Sequence, residues 1–141
     1  MSHSVFIVDT NVVVAGLITG NSDSPVALIL DRMLSGEIIY LLSPALLDEY
    51  KHVLTRPKLM RLHGLSQAQL TDLLTELTAN AIWREAAPSE PAPDRGDDHL
   101  WALLAAHSAS VLITGDQLLL NNPPPSSSVI SPATWLREFG V

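Results

Sequence analysis

The sequence predicts an α/β fold: a three-layer α/β/α sandwich with a mostly parallel central sheet. Three observations point there. Val5–Val8, Ile38–Leu42 and Val111–Thr114 are short, largely apolar runs, as strands covered on both faces require. The segments between them carry helical periodicity and helix-opening residues. Strands and helices alternate along the chain, the pattern of parallel strands joined by crossovers.

In order, Val5-Phe6-Ile7-Val8 is the first strand. Ser24-Pro25 supplies an N-cap and a first helical residue, and Val26, Ile29, Leu30 and Met33 form one face of a helix running to Gly36. Ile38–Leu42 is the second strand. Ser43-Pro44 repeats the cap signature and starts a helix to about Thr55, stopped by Pro57. Ser66 opens a helix with Leu70, Leu73, Leu74 and Leu77 as its buried stripe. Ala81-Ile82-Trp83 reads as a strand, and Ala87–Gly96, with three prolines, as a loop. A helix from about Asp97 to Ala109 is apolar nearly all round and so buried. Val111–Thr114 is the fourth strand, Asn121–Ser128 a Pro/Ser loop, Val129-Ile130 a last short strand and Pro132–Phe139 a terminal helix.

A length of 141 residues suits one domain, spanning 1–141. There is no cysteine, which excludes a disulfide framework, thiolate-bound zinc and a cysteine nucleophile. Only 16% of residues are charged, and eight basic residues face fifteen acidic ones for a net charge of −7. That balance argues against a basic-striped nucleic-acid binder and shifts attention to where the carboxylates sit. Asp9 interrupts the first apolar run, so no secretory leader is expected. The uncharged stretch His99–Gly115 is too short to span a bilayer, and His107, Ser108 and Ser110 break it. A soluble, cytoplasmic protein with no membrane partner is the expectation.

Two strands end on an aspartate: Val5–Val8 runs into Asp9, and Val111–Thr114 runs through Gly115 into Asp116. Right-handed crossovers bring all parallel strand ends to one edge, where such sheets bind ligands. Each Asp alone could simply cap a turn or a helix. Glu49 borders the stripe Leu46, Leu47, Tyr50, Val53 and Leu54, where an unpaired charge is costly; the plainer alternative is a rim glutamate paired with Lys51 or His52. Asp97-Asp98 opens a helix, which the helix dipole alone would favour, yet two adjacent acids need only one cap. Four ionised carboxylates about 5 Å apart would repel by about 3 kcal/mol per pair at an effective dielectric near 20, so such a cluster must be protonated or neutralised by a cation. An all-oxygen donor set selects Mg²⁺ or Mn²⁺ over zinc, and such ions serve phosphate-ester hydrolysis.

Half of the basic residues, Lys51, Arg56, Lys58 and Arg61, fall within eleven positions beside Glu49, flanked by His52 and His63. A solvated helix face is the usual meaning of such a run. Here it is the chain's only cationic concentration, and a phosphodiester chain could track it to the acids.

With these residues in place, the sequence resembles the PIN-domain family, and within it the VapC-like ribonuclease toxins of toxin–antitoxin systems. The resemblance rests on Phe6-Ile7-Val8-Asp9-Thr10-Asn11, on Ser43–Tyr50 leading to Val53–Lys58, on Asp97-Asp98 before Leu100–Leu103, and on Leu112–Asp116. It implies a metal-dependent endoribonuclease whose catalytic acids are Asp9, Glu49, Asp98 and Asp116. Asp9, Asp98 and Asp116 would hold Mg²⁺ or Mn²⁺, and Asn11 would orient Asp9. Asp98 is preferred to Asp97 because its spacing to Asp116 matches the family pattern. The resemblance also implies a homodimer and inhibition by a small antitoxin protein. Arg95-Gly96 stands where a proline is more usual, and Trp101 is bulky for its position.

Two other readings are weaker. A phosphatase using an Asp-x-Asp nucleophile lacks its second acid, since Asp9-Thr10-Asn11 follows the strand. A PIN-like module that binds protein or RNA without turnover would need no acids, and all four are present. His3, His52, His63, His99 and His107 show no ligand spacing and are expected in surface or structural roles, while Trp83, Trp101 and Trp135 are expected in the core.

Overall fold

The computed structural model describes residues 4–140. Its sheet has five strands, β1 (Val5–Val8), β2 (Ile39–Leu42), β3 (Ile82–Trp83), β4 (Ser110–Ile113) and β5 (Ser128–Ile130), in the order β3-β2-β1-β4-β5. All four pairings are parallel. The expectation of a mostly parallel sheet is therefore met in full. Strand order runs one way from β1 through β2 to β3 and the other way through β4 to β5. The reversal lies between β1 and β4, where Val5–Val8 pairs with Ser110–Ile113. Such a switch point leaves an open crevice at the carboxyl ends of the two strands.

The helices are α1 (Thr10–Ile18), α2 (Pro25–Ser35), α3 (Pro44–Leu54), α4 (Pro57–His63), α5 (Gln67–Ala79), α6 (Asp98–Ala106), α7 (Gln117–Asn121) and α8 (Pro132–Phe139). Helix α2 packs against α1, α5 and α8, and α3 touches both α1 and α6. Tyr40 of β2 donates its hydroxyl to Leu77 O of α5, and Phe6 of β1 meets Phe139 of α8 edge-on. The core is aliphatic, with Ile7, Val8, Leu41, Leu42, Leu112 and Ile113 filling the sheet. Each such side chain contributes about 2 kcal/mol when fully buried.

Local chemistry explains the helix starts. Ser24, Ser43, Ser66 and Ser131 each cap a helix through the hydroxyl, three of them directly before a proline. Ser66 and Gln69 complete a capping box. Gly36 ends α2 with φ +79°, a conformation that costs other residues a steric clash.

Three helices escape the sequence periodicity. Helix α1 begins one residue after β1, and its Val12-Val13-Val14 run has the look of a strand. Pro57, expected as a stop, is the first residue of α4: it ends α3 and opens the next helix in the same place. Helix α7 is only five residues long, too short for any periodicity. The tryptophans divide: Trp101 and Trp135 are core residues, but Trp83 on the edge strand is 42% exposed, against expectation. No helix among the described residues is long and apolar enough to cross a membrane. His3 lies outside the described residues.

Candidate active site

At the carboxyl ends of β1 and β4 lies a cleft of about 360 Å³. Its polar lining is Asp9, Asn11, Glu49, Asp97 and Asp116, and its apolar lining is Val14, Ala15, Ile18, Val53 and Leu59.

Asp9 is only 4% exposed, and its two oxygens accept three hydrogen bonds. Oδ1 takes Thr10 N at 2.8 Å, so Asp9 does cap α1. Oδ2 takes Asn11 Nδ2 at 3.0 Å and Thr114 Oγ1 at 2.7 Å. Burial raises the Asp9 pKa above the ordinary value of 3.8; the bonds from Thr114 and Thr10 oppose that, and the Glu49 charge adds to it. Asn11, expected to orient Asp9, donates to its Oδ2 and also reaches the end of β4, where its Oδ1 accepts from Gly115 N at 2.9 Å. A Cβ at Gly115 would lie 3.3 Å from that Oδ1, so the close approach suits glycine.

Thr114 is the polar hub that no sequence motif marks. Its hydroxyl donates to Asp9 and accepts from Asp116 N at 3.0 Å, binding the ends of β1 and β4 together. The available signal was a threonine closing an otherwise apolar strand: a fully buried hydroxyl needs a partner. Asp116, like Asp9, also caps a helix, its Oδ1 accepting from Leu118 N at 3.0 Å. Capping and cleft formation thus coexist in both strand-end aspartates.

The third acid departs from expectation. Asp98 is not in the cleft: its Oδ1 accepts from Ala92 N at 2.8 Å and secures the preceding loop. Asp97 lines the cleft instead. The physical reason is the chain path into α6. Arg95–Asp97 forms a 3₁₀ turn, so Asp97 is the N-cap and Asp98 the first helical residue, and adjacent residues there diverge by roughly 100° around the axis. Asp97 makes no side-chain capping bond. Its pKa is raised to about 6, chiefly by desolvation and then by the charges of Asp9, Asp94, Asp116 and Glu49.

Glu49 reaches the cleft from α3. That helix is anchored by Tyr50, which is fully buried and donates its hydroxyl to Val8 O at 2.5 Å, beside Asp9. Glu49 pairs with neither Lys51 nor His52; its Oε2 lies 3.1 Å from His99 Nε2 of α6. His99 had no expected role in the site, because an interaction between residues fifty positions apart leaves no local pattern. His63 is structural, bonded to Leu54 O and Leu65 N.

Lys51, Arg56, Lys58 and Arg61 are exposed along α3 and α4, and none of them enters an ion pair among the described residues. Lys51 and His52 share a second depression with Glu49, adjoining the cleft. A larger cavity of about 720 Å³ lies between α3 and α5, lined by Leu47, Leu70 and Leu74 with several threonines, and it contains no acid.

The donor set of the cleft suits a hard divalent cation, being oxygen throughout. Asp97, Asp116 and Glu49 each keep at least one oxygen without a hydrogen bond among the described residues. No group of three Asp, Glu or His side chains among those residues already stands at metal-holding separation.

A search of curated proteins returns no match. Among solved structures, the PIN domain of T. brucei RRP44 is similar at 15% identity and a TM-score of 0.48, over 96% of this chain and 80% of that one. The family described as PIN domain matches residues 5–118, which takes in β1, β4 and every acid of the cleft. On that match the chain belongs to the PIN domain family, whose members are generally divalent-metal nucleases acting on RNA.

Proposed function

We propose that this protein is a Mg²⁺- or Mn²⁺-dependent endoribonuclease. The observation that carries the reading is one cleft, at the switch point of the sheet, holding Asp9, Glu49, Asp97 and Asp116. Asp9, Asp97 and Asp116 would hold the ion, with Asp97 in the place first expected for Asp98. When bound, the ion supplies charge neutralisation and polarises a phosphodiester. The chain's own residues do the rest. Thr114 and Asn11 fix the Asp9 carboxylate, so its direction needs no reorganisation during the reaction. Glu49 is placed to orient a water or accept its proton in the cleft. Lys51, Arg56, Lys58 and Arg61 form a ridge that leads an RNA backbone toward the acids by charge alone. The apolar lining of Val14, Ile18 and Leu59 offers no hydrogen-bond code, so sequence preference there would come from fit and stacking.

The finer identity follows the same resemblance: a toxin component whose activity a small antitoxin protein blocks by occupying this cleft, acting as a homodimer of single-domain chains in the cytoplasm. The test is cleavage of a generic single-stranded RNA with Mn²⁺, comparing wild type with Asp9→Asn of verified fold. Loss of cleavage supports the assignment; undiminished cleavage by the variant places the chemistry elsewhere.

A further inference from the structure

We infer that His99 is a positioning residue that holds the Glu49 carboxylate in the cleft; its consequence for turnover rests on the nuclease reading, whereas its geometry does not. His99 Nε2 lies 3.1 Å from Glu49 Oε2 and ties α6 to α3. The ends of the pair are unequal, with side-chain exposures of 17% for His99 and 32% for Glu49. The imidazole is the more enclosed partner, and the carboxylate, on a long flexible stem, follows it. A partly exposed pair of this kind adds little to stability. An ionised carboxylate only accepts hydrogen bonds, so in this pair Nε2 is the donor. The Nδ1 of His99 is buried with no hydrogen-bond partner among the described residues.

The direction of the pull matters. Glu49 shares the cleft with Asp9, Asp97 and Asp116, and like charge drives a mobile carboxylate outward. Lys51 and His52, its neighbours on α3, are exposed and do not bond it. His99 holds one oxygen and leaves Oε1 without a hydrogen bond among the described residues, on the residue that borders both the cleft and the depression lined by Asp48, Lys51 and His52.

The experiment is a kinetic cycle with His99→Ala, His99→Gln, Glu49→Ala and the double alanine variant, each checked for folding by thermal melt. Removing a partner that orients a site residue is expected to lower kcat about tenfold. KM for RNA should stay within about twofold, since His99 does not itself hold the substrate. His99→Gln, whose amide nitrogen donates from nearly the same place, should recover most of the rate. In the Glu49→Ala background, His99→Ala should cost nothing further. Wild-type kcat in His99→Ala overturns the role, as does an equal loss in both backgrounds or a Gln variant no better than Ala. Long-range ¹⁵N spectra of the imidazole report the pairing without turnover: wild type should show His99 protonated at Nε2, with that bias lost in Glu49→Ala. Protein inert on RNA that keeps the bias refutes the nuclease reading and supports the pairing; protein that cleaves RNA without the bias refutes the pairing.

Discussion

Asp9 and Asp97 line the same cleft under opposite constraints. Asp9 is buried, and its two oxygens are held by Thr10, Asn11 and Thr114. Asp97 is half-buried at a helix N-terminus and caps nothing. Asp116 and Glu49 fall between, each with one oxygen bonded. Asp9 is preorganised by the bonds it accepts between the ends of β1 and β4, whereas Asp97 is left adjustable at the start of α6. A preorganised carboxylate costs little to use, whereas adjustable ones can close on a cation and relax without it.

That contrast sets the order of effects. Asp9→Asn should be the most damaging change, lowering kcat/KM about a thousandfold, because several kcal/mol of charge stabilisation goes with it. Single-turnover cleavage with Mn²⁺ measures this. Next comes the adjacent pair. Asp97→Ala should cost about a hundredfold in activity and leave the melting temperature nearly unchanged, since its carboxylate holds no hydrogen bond in the fold. Asp98→Ala should do the reverse, keeping activity within about threefold but costing about 1 kcal/mol of stability through the bond to Ala92 N. If the two variants lose activity equally, the division between a cleft acid and a loop acid is wrong.

That pair also shows where sequence reasoning stops. The strand ends carrying Asp9 and Asp116 were legible, because apolar runs and crossover handedness place them without any side-chain detail. Asp97 against Asp98 was not, because the choice depends on a 3₁₀ turn at Arg95–Asp97 that fixes which residue leads the helix. Spacing to Asp116 pointed to Asp98, whereas Asp97 is the one that lines the cleft. Pro57 was legible only in part: it does follow the end of α3, but it also opens α4, which its role as a stop does not announce. Thr114 and His99 act through bonds made across the sheet and between helices, which no window of sequence contains.

The basic ridge lies outside the acidic cleft and should behave differently from it. Charge-neutral variants of Arg56 and Lys58 are expected to raise KM for RNA by several-fold with kcat unchanged. The slope of log affinity against log salt should fall by about 0.7 for each phosphate of a single strand that is no longer neutralised. A change in kcat without a change in salt slope would put these residues in the chemistry rather than on the approach.

The smallest effect tests the adjustable acid of the cleft by pH. The Asp97 carboxyl titrates from an ordinary value of 3.8 in the unfolded chain to about 6 in the fold. A raised carboxyl pKa means the folded state binds the proton more tightly, so this contribution to stability is complete below pH 3.8 and lost as pH rises through 6. Asp9 shifts in the same direction. Metal-free protein should therefore gain melting temperature as the medium is taken from about pH 7 to about pH 5, and Asp97→Asn should gain less. Much of Asp97 is solvated, so the difference will be small. Mn²⁺ must reverse the sign, because an ion needs the ionised carboxylates: its stabilisation should be greater at about pH 7 than at about pH 5. A metal-induced shift that ignores pH would mean that the ion binds away from Asp9 and Asp97.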